Sequence, residues 1–101
     1  MITGGENVWP EPVERILRGD PRIADVAVVG RPSAEWGSEL VAVIELTAPG
    51  RLPRLEELRD LVKAELPAPH APRHLLVVDE LPRTALGKPR RDLIRRLASA
   101  G

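Results

Sequence analysis

Lysine is scarce in this 101-residue chain, with two lysines against thirteen arginines. One of the two, Lys88, closes the polar run Pro82-Arg83-Thr84-Ala85-Leu86-Gly87-Lys88. A compact ammonium on a flexible stem beside a glycine suits a group that swings toward phosphate oxygens. An ordinary solvated surface lysine fits the same pattern. The run is not a Walker A loop, because position 82 is Pro where that motif takes Gly and position 89 is Pro where it takes Ser or Thr. Gly4-Gly5 marks a place where backbone approaches something closely or where φ is positive, and it is not part of a dinucleotide fingerprint. His70 and His74 have the spacing of two ligands on one helix face, but Pro72 lies between them and forbids that helix. With no third ligand nearby, no metal site is expected. Trp9 and Trp36 are the only aromatic residues and read as packing anchors, in the core or at a domain contact. The absence of cysteine excludes a disulfide framework, a thiolate zinc site and a cysteine nucleophile.

Fifteen basic and fifteen acidic side chains cancel, so the domain as a whole offers no general attraction to nucleic acid or anionic lipid. The cancellation hides an asymmetry. Residues 1–69 carry eight basic and twelve acidic side chains, whereas residues 70–101 carry seven basic and three acidic. The basic C-terminal third reads either as a face for an anionic, phosphate-bearing ligand or as a solvated Arg-rich helix. No stretch approaches the ~20 apolar residues of a membrane span. Met1 to Gly5 has neither the basic start nor the apolar run of a signal peptide, and a cytoplasmic protein is expected.

The elements that must position these residues are short, since eleven prolines and eight glycines punctuate the chain. Residues 1–9 read as an irregular Gly-rich entry. Pro10 and Pro12 suit the first turn of a helix in which Val13, Ile16 and Leu17 face inward and Glu14 and Arg18 pair on the outside. Ile23 to Val29 reads as a strand buried on both faces, and Arg31-Pro32-Ser33 begins a loop running through Trp36-Gly37. In a second strand, Leu40, Ala42, Ile44 and Leu46 share one face while Val41, Val43 and Glu45 share the other. Leu55, Leu58, Leu61, Val62 and Leu66 line a second helix. Pro67 to Pro72 reads as non-helical, Leu75 to Val78 as a short strand, and Leu93, Ile94 and Leu97 as part of a final helix of about two turns. The expected fold is a single compact α+β domain, with a small sheet of about three strands covered by helices.

Three segments taken together resemble the C-terminal domain of the adenylate-forming enzymes, which include acyl-CoA synthetases, luciferases and adenylation domains. The first is Gly4-Gly5-Glu6-Asn7-Val8-Trp9-Pro10-Glu11-Pro12-Val13-Glu14, similar to the family's glycine-rich motif. The second is Ala27-Val28-Val29-Gly30-Arg31-Pro32, followed by Glu35-Trp36-Gly37-Ser38-Glu39. The third is Asp79-Glu80-Leu81-Pro82-Arg83-Thr84-Ala85-Leu86-Gly87-Lys88, similar to the family's closing motif with its lysine. The resemblance covers essentially the whole chain, and the Gly-Gly-Glu-Asn-Val form looks like acyl-CoA synthetases more than peptide-synthetase adenylation domains.

This resemblance implies a mobile lid on a large N-terminal, ATP-binding domain that lies outside the chain. It implies a two-step ligase that uses Mg-ATP and coenzyme A as co-substrates, neither bound stably by the lid alone, so that the isolated domain is inactive. Carried onto this sequence, Lys88 is the adenylation lysine, Gly4 and Gly5 form the loop lining the pantetheine tunnel, and Arg73 is the leading candidate for a coenzyme A phosphate. His70 stands where relatives often carry a basic residue, and Pro89 where an aliphatic one is commoner. The alternatives are the lid of an adenylation domain that loads a carrier protein, and a stand-alone binding or regulatory module with the same fold.

Overall fold

The computed structural model describes residues 2–3, 6–35 and 37–99. Two-residue strands β1 (Ile2–Thr3) and β2 (Glu6–Asn7) pair antiparallel, Ile2 opposite Asn7 and Thr3 opposite Glu6, and β1 lies against the later strand Gly37–Leu46. The entry expected to be irregular therefore carries a short ladder. Gly4 and Gly5 fall between these strands in sequence and lie outside the described residues, as does Trp36.

Helix α1 (Pro10–Arg18) starts on a proline, whose missing N–H is one of the first-turn donors a helix leaves free. It ends where the Gly19 amide closes onto Ile16 O at 3.1 Å. The main sheet has the order β3 (Ile23–Ser33), β4 (Gly37–Leu46), β5 (His74–Val77), with β3 and β4 antiparallel and β4 and β5 parallel. The parallel pair needs a crossover, which runs through α2 (Leu55–Lys63). A final helix, α3 (Arg91–Ser99), completes the chain's described part.

The period-2 alternation sorts the sheet into two buried faces. Val26, Val28, Leu40, Ala42 and Ile44 pack with Val8, with Val13 and Leu17 of α1, and with Leu58 and Val62 of α2. Ala27, Val29, Val41 and Val43 pack with Leu81 and with Ile94 and Ala98 of α3. The result is a three-layer α+β arrangement, with α1 and α2 on one face of the sheet and α3 on the other. Leu61, read on one side of the second helix with Leu58 and Val62, is instead 39% exposed, and Leu97 of α3 is 41% exposed.

Three local readings change. β3 runs on to Ser33, so Arg31-Pro32-Ser33 is strand and not loop. Pro32 is tolerated because β3 is an edge strand. Val28 N donates outward to Glu14 Oε2 at 2.7 Å, which fixes the even positions as the outward-facing ones, and Pro32 lies on that parity. Within 67–72, Ala68–His70 forms one 3-10 turn. It needs donors only from His70 N (2.9 Å to Pro67 O) and Ala71 N (3.0 Å to Ala68 O), and neither residue is proline.

The third change concerns Glu14, read as an outer partner of Arg18. Glu14 is 3% exposed, and its carboxylate accepts the Val28 amide and a fork from Arg91, at 3.0 and 3.1 Å. Arg18 approaches it only to 4.0 Å and donates instead to Val26 O at 3.2 Å. Side chains from both flanking helices thus cover the outward groups of edge strand β3 at Val26 and Val28.

Candidate functional site

Lys88 lies in a hairpin between β5 and α3. Arg83 and Pro89 form an isolated antiparallel bridge, and Arg90 N donates to Pro82 O at 2.8 Å, closing the base of the hairpin. Thr84 organises the tip. Its N–H donates to Lys88 O at 2.7 Å, its carbonyl accepts Gly87 N at 2.9 Å, and its hydroxyl accepts the amides of Leu86 and Lys88, each at 3.3 Å. Gly87 adopts φ +85°, a left-handed conformation that any side chain would strain. Lys88 is exposed, and among the described residues no carboxylate lies within 4.0 Å of its ammonium.

The base of this hairpin is fastened to the sheet by residues that sequence reading missed. One Arg83 terminal nitrogen meets both Asp25 Oδ2 and Glu45 Oε2, the latter at 2.9 Å. Arg83 also donates to Leu81 O at 3.3 Å, and Leu81 N donates to Glu45 Oε2 at 2.7 Å. The signal available in the sequence was faint: two carboxylates, Asp25 and Glu45, inside otherwise apolar strand patterns. At the far side, Arg91 in the first turn of α3 is held by Glu14.

Arg73 lies between the 3-10 turn and β5, half-buried, with its N–H on Leu40 O at 2.9 Å. Arg73 and the Lys88 hairpin are fastened to different points of β4. The backbone of Arg73 is tied to β4 at Leu40 and the Lys88 hairpin at Glu45, five residues along the same strand. At ~3.3 Å per residue that interval is roughly 16 Å.

The two histidines diverge. His70 is buried, and its Nδ1 donates to Pro67 O at 3.3 Å. His74 Nε2 lies 2.8 Å from Glu39 Oε1 and 2.7 Å from an Arg31 nitrogen. Trp9 is not a core anchor in this chain; it is 59% exposed and lines a shallow groove of about 270 Å³ with Gly30, Arg91 and Arg95.

Asp20, Asp25, Glu39, Glu57 and Asp92 are all held below the ordinary carboxylate range. For Asp20 the leading cause is the Arg22 guanidinium. For Asp25 burial is the largest single influence and opposes ionisation, but hydrogen bonds from Arg83, the Val26 amide and Arg18 together outweigh it. Glu39 is likewise opposed by burial and overridden by Arg31 and His74. A depressed carboxyl contributes stability that is present above its unfolded pKa, about 4, and lost as pH falls through the folded value. The melting temperature is therefore expected to stay level from neutrality to about pH 5 and to fall steeply below about pH 4. Thermal melts recorded by circular dichroism across pH 2–7 check this, and an unchanged midpoint down to pH 2 contradicts it.

Residues 12–88 match the family described as AMP-binding enzyme C-terminal domain, a stretch that ends on Lys88 and excludes Gly4 and Gly5. The chain is 40% identical over 99 residues to an indoleacetate–CoA ligase of Aromatoleum aromaticum, covering 98% of this chain and 19% of the relative. It is 42% identical over 87 residues to a medium/long-chain-fatty-acid–CoA/3-oxocholest-4-en-26-oate–CoA ligase of Mycobacterium tuberculosis, covering 86% of this chain and 16% of that one. Among solved structures, the amide bond synthetase McbA from Marinactinospora thermotolerans superposes with a TM-score of 0.88 at 34% identity, over 96% of this chain and 19% of its own. The chain thus spans about a fifth of the length of the curated relatives it matches.

Proposed function

The chain belongs to the AMP-binding enzyme C-terminal domain family, and from that premise we propose that it is the mobile lid of an ATP-dependent, AMP-forming acid–CoA ligase. The observation that carries this reading is Lys88: an exposed ammonium on a hydrogen-bonded hairpin, in a chain similar to acid–CoA ligases along 98% of its length. In the first step a carboxylate oxygen attacks the α-phosphate of Mg-ATP, forming an acyl-adenylate and releasing pyrophosphate. In the second, the coenzyme A thiol attacks the acyl carbon and AMP leaves.

Lys88 serves the first step. A cation between an attacking carboxylate and an anionic phosphate orients both and offsets their repulsion. Gly4 and Gly5 serve the second, where a narrow pantetheine arm passes close to backbone that carries no side chain. Arg73 contacts a coenzyme A phosphate. Its anchor point on β4, five residues from that of the Lys88 hairpin, suits a lid that presents different faces in the two steps. The adenine, ribose and acyl contacts come from a large N-terminal domain, in cis or in trans, and the lid alone is inactive. The complete enzyme is cytoplasmic.

The test joins this chain to the large domain of the indoleacetate–CoA ligase relative and follows the two half-reactions separately. Gly5→Trp is expected to leave pyrophosphate release within about twofold and to reduce coenzyme A-dependent AMP release by roughly 10-fold or more, the scale of a displaced reacting group. Equal losses in both would mean that the loop only holds the fold. One structural neighbour is an amide bond synthetase, which favours a second reading of the acceptor. Turnover on an amine or a carrier-protein thiol in preference to coenzyme A would move the assignment from acid–CoA ligase to that reading.

A further inference from the structure

We infer that Arg83 is a positioning residue for Lys88: its guanidinium fastens the base of the lysine hairpin to a paired carboxylate cradle, Asp25 and Glu45. This inference rests on the reading of Lys88 as the adenylation lysine.

Asp25 and Glu45 are register partners on the adjacent antiparallel strands β3 and β4. They lie on the parity of Ala27, Val29, Val41 and Val43, the face covered by α3. Like charges directly opposite each other on a sheet repel, so this pair disfavours the strand register unless a cation lies between them. Arg83 supplies it, through one nitrogen shared by both carboxylates. The fork geometry adds a contact that a lysine ammonium reproduces poorly, the second terminal nitrogen on Leu81 O at 3.3 Å.

The cradle bears on Lys88 because of how the hairpin is bonded. Every backbone hydrogen bond recorded for the tip, residues 84–88, runs to Thr84 or from it, so the tip holds its own shape but has no tether of its own to the sheet. Its place depends on the base. There Arg83 bridges to Pro89, the residue after Lys88, and reaches β3 and β4 directly. With Arg83 removed, the remaining hydrogen-bonded tether on that side is Leu81 N to Glu45, two residues further back. A displacement of about 1 Å in a catalytic group can reduce a rate by roughly 10²-fold.

The experiment uses the enzyme assembled with its large domain and a double-mutant cycle. Arg83→Gln is expected to slow adenylation by about 10- to 100-fold in kcat, and to leave thioester formation from pre-made acyl-adenylate within about twofold. Combined with Lys88→Ala, it should slow adenylation no further than Lys88→Ala does alone, because an absent ammonium cannot be misplaced. Arg83→Lys keeps a cation against both carboxylates and covers the case in which Gln unfolds the domain. It should lose less than Gln and show the same non-additivity. Additive effects, or equal losses in both half-reactions, would overturn the positioning role and leave Arg83 as a contributor to folding alone. If Lys88→Ala itself leaves adenylation intact, the lysine assignment fails, and the clamp is then judged by amide exchange in the 101-residue chain. Exchange of the Thr84, Gly87 and Arg90 amides at least tenfold faster in Arg83→Gln supports the clamp, and unchanged exchange overturns it.

Discussion

Lys88→Ala, in the enzyme assembled with its large domain, is expected to slow acyl-adenylate formation by about 10²-fold or more, the usual consequence of removing one electrostatic contact at a transition state. The carboxylate and the α-phosphate are both anionic, and a point cation between them acts where charge is moving. The ammonium is available for this because Gly87 turns the chain with φ +85° and Thr84 closes the loop beneath it. Fold stability should stay within roughly 0.5 kcal/mol, since an exposed turn lysine carries little of the core. Thioester formation from a pre-made acyl-adenylate should be spared under the proposed lid reading, in which the Lys88 hairpin and Arg73, fastened to β4 five residues apart at Glu45 and Leu40, serve different steps. The measurement is pyrophosphate release for the first half-reaction and AMP release for the second, on the same preparation. A parallel fall in both, or in neither, removes Lys88 from the adenylation step.

The largest stability effect is expected at Glu14, in the 101-residue chain itself. Glu14→Ala strips the acceptor from the Val28 amide at 2.7 Å and the counter-charge from Arg91. An unsatisfied buried amide costs about 1–3 kcal/mol, and breaking a fully buried ion pair about 3–5 kcal/mol. Because the Arg91 side chain is 35% exposed and can recover water, the lower part of that range applies. We expect a net loss of about 2–4 kcal/mol. For a domain of this size that is a fall in Tm of roughly 10–20 °C. Glu14→Gln keeps an acceptor for the Val28 amide and should lose clearly less. Denaturant melts of the two variants settle the matter, and an alanine variant within about 0.5 kcal/mol of the parent would show the network to be energetically neutral.

The two predictions differ in how far the residues announced themselves. Lys88 stood out in the sequence because its neighbours are its context: the glycine, the two flanking prolines and the rarity of lysine are all local. Glu14 read as an ordinary outer residue of an amphipathic helix. Its pairing with Arg18 holds at 4.0 Å, but the carboxylate lies inside, and its shorter contacts are to the Val28 amide and Arg91. Which face of α1 meets the sheet depends on where β3 lies, and the free edge of β3 at Val28 supplied an N–H that a carboxylate could satisfy. The proline-rich 67–72 segment failed for a smaller reason, since a 3-10 turn needs only two donors and prolines stand at neither position.

By itself the sequence determined what depends on near neighbours. The alternation of Leu40 to Leu46 was visible as two faces, and the fold packs them into the two cores on opposite sides of the sheet. The start of α1 at Pro10 was visible for the same reason, since a proline's backbone preference acts over one or two residues. Tertiary structure alone decided which charges meet. Arg83 reaches Asp25 across 58 positions, Arg91 reaches Glu14 across 77, and Arg31 reaches Glu39 and His74 across 8 and 43. Long charged side chains have no periodic signature, and their partners are chosen by sheet order, strand parity and the face each helix covers. A carboxylate in a strand reads as a defect until the fold shows the guanidinium that it holds.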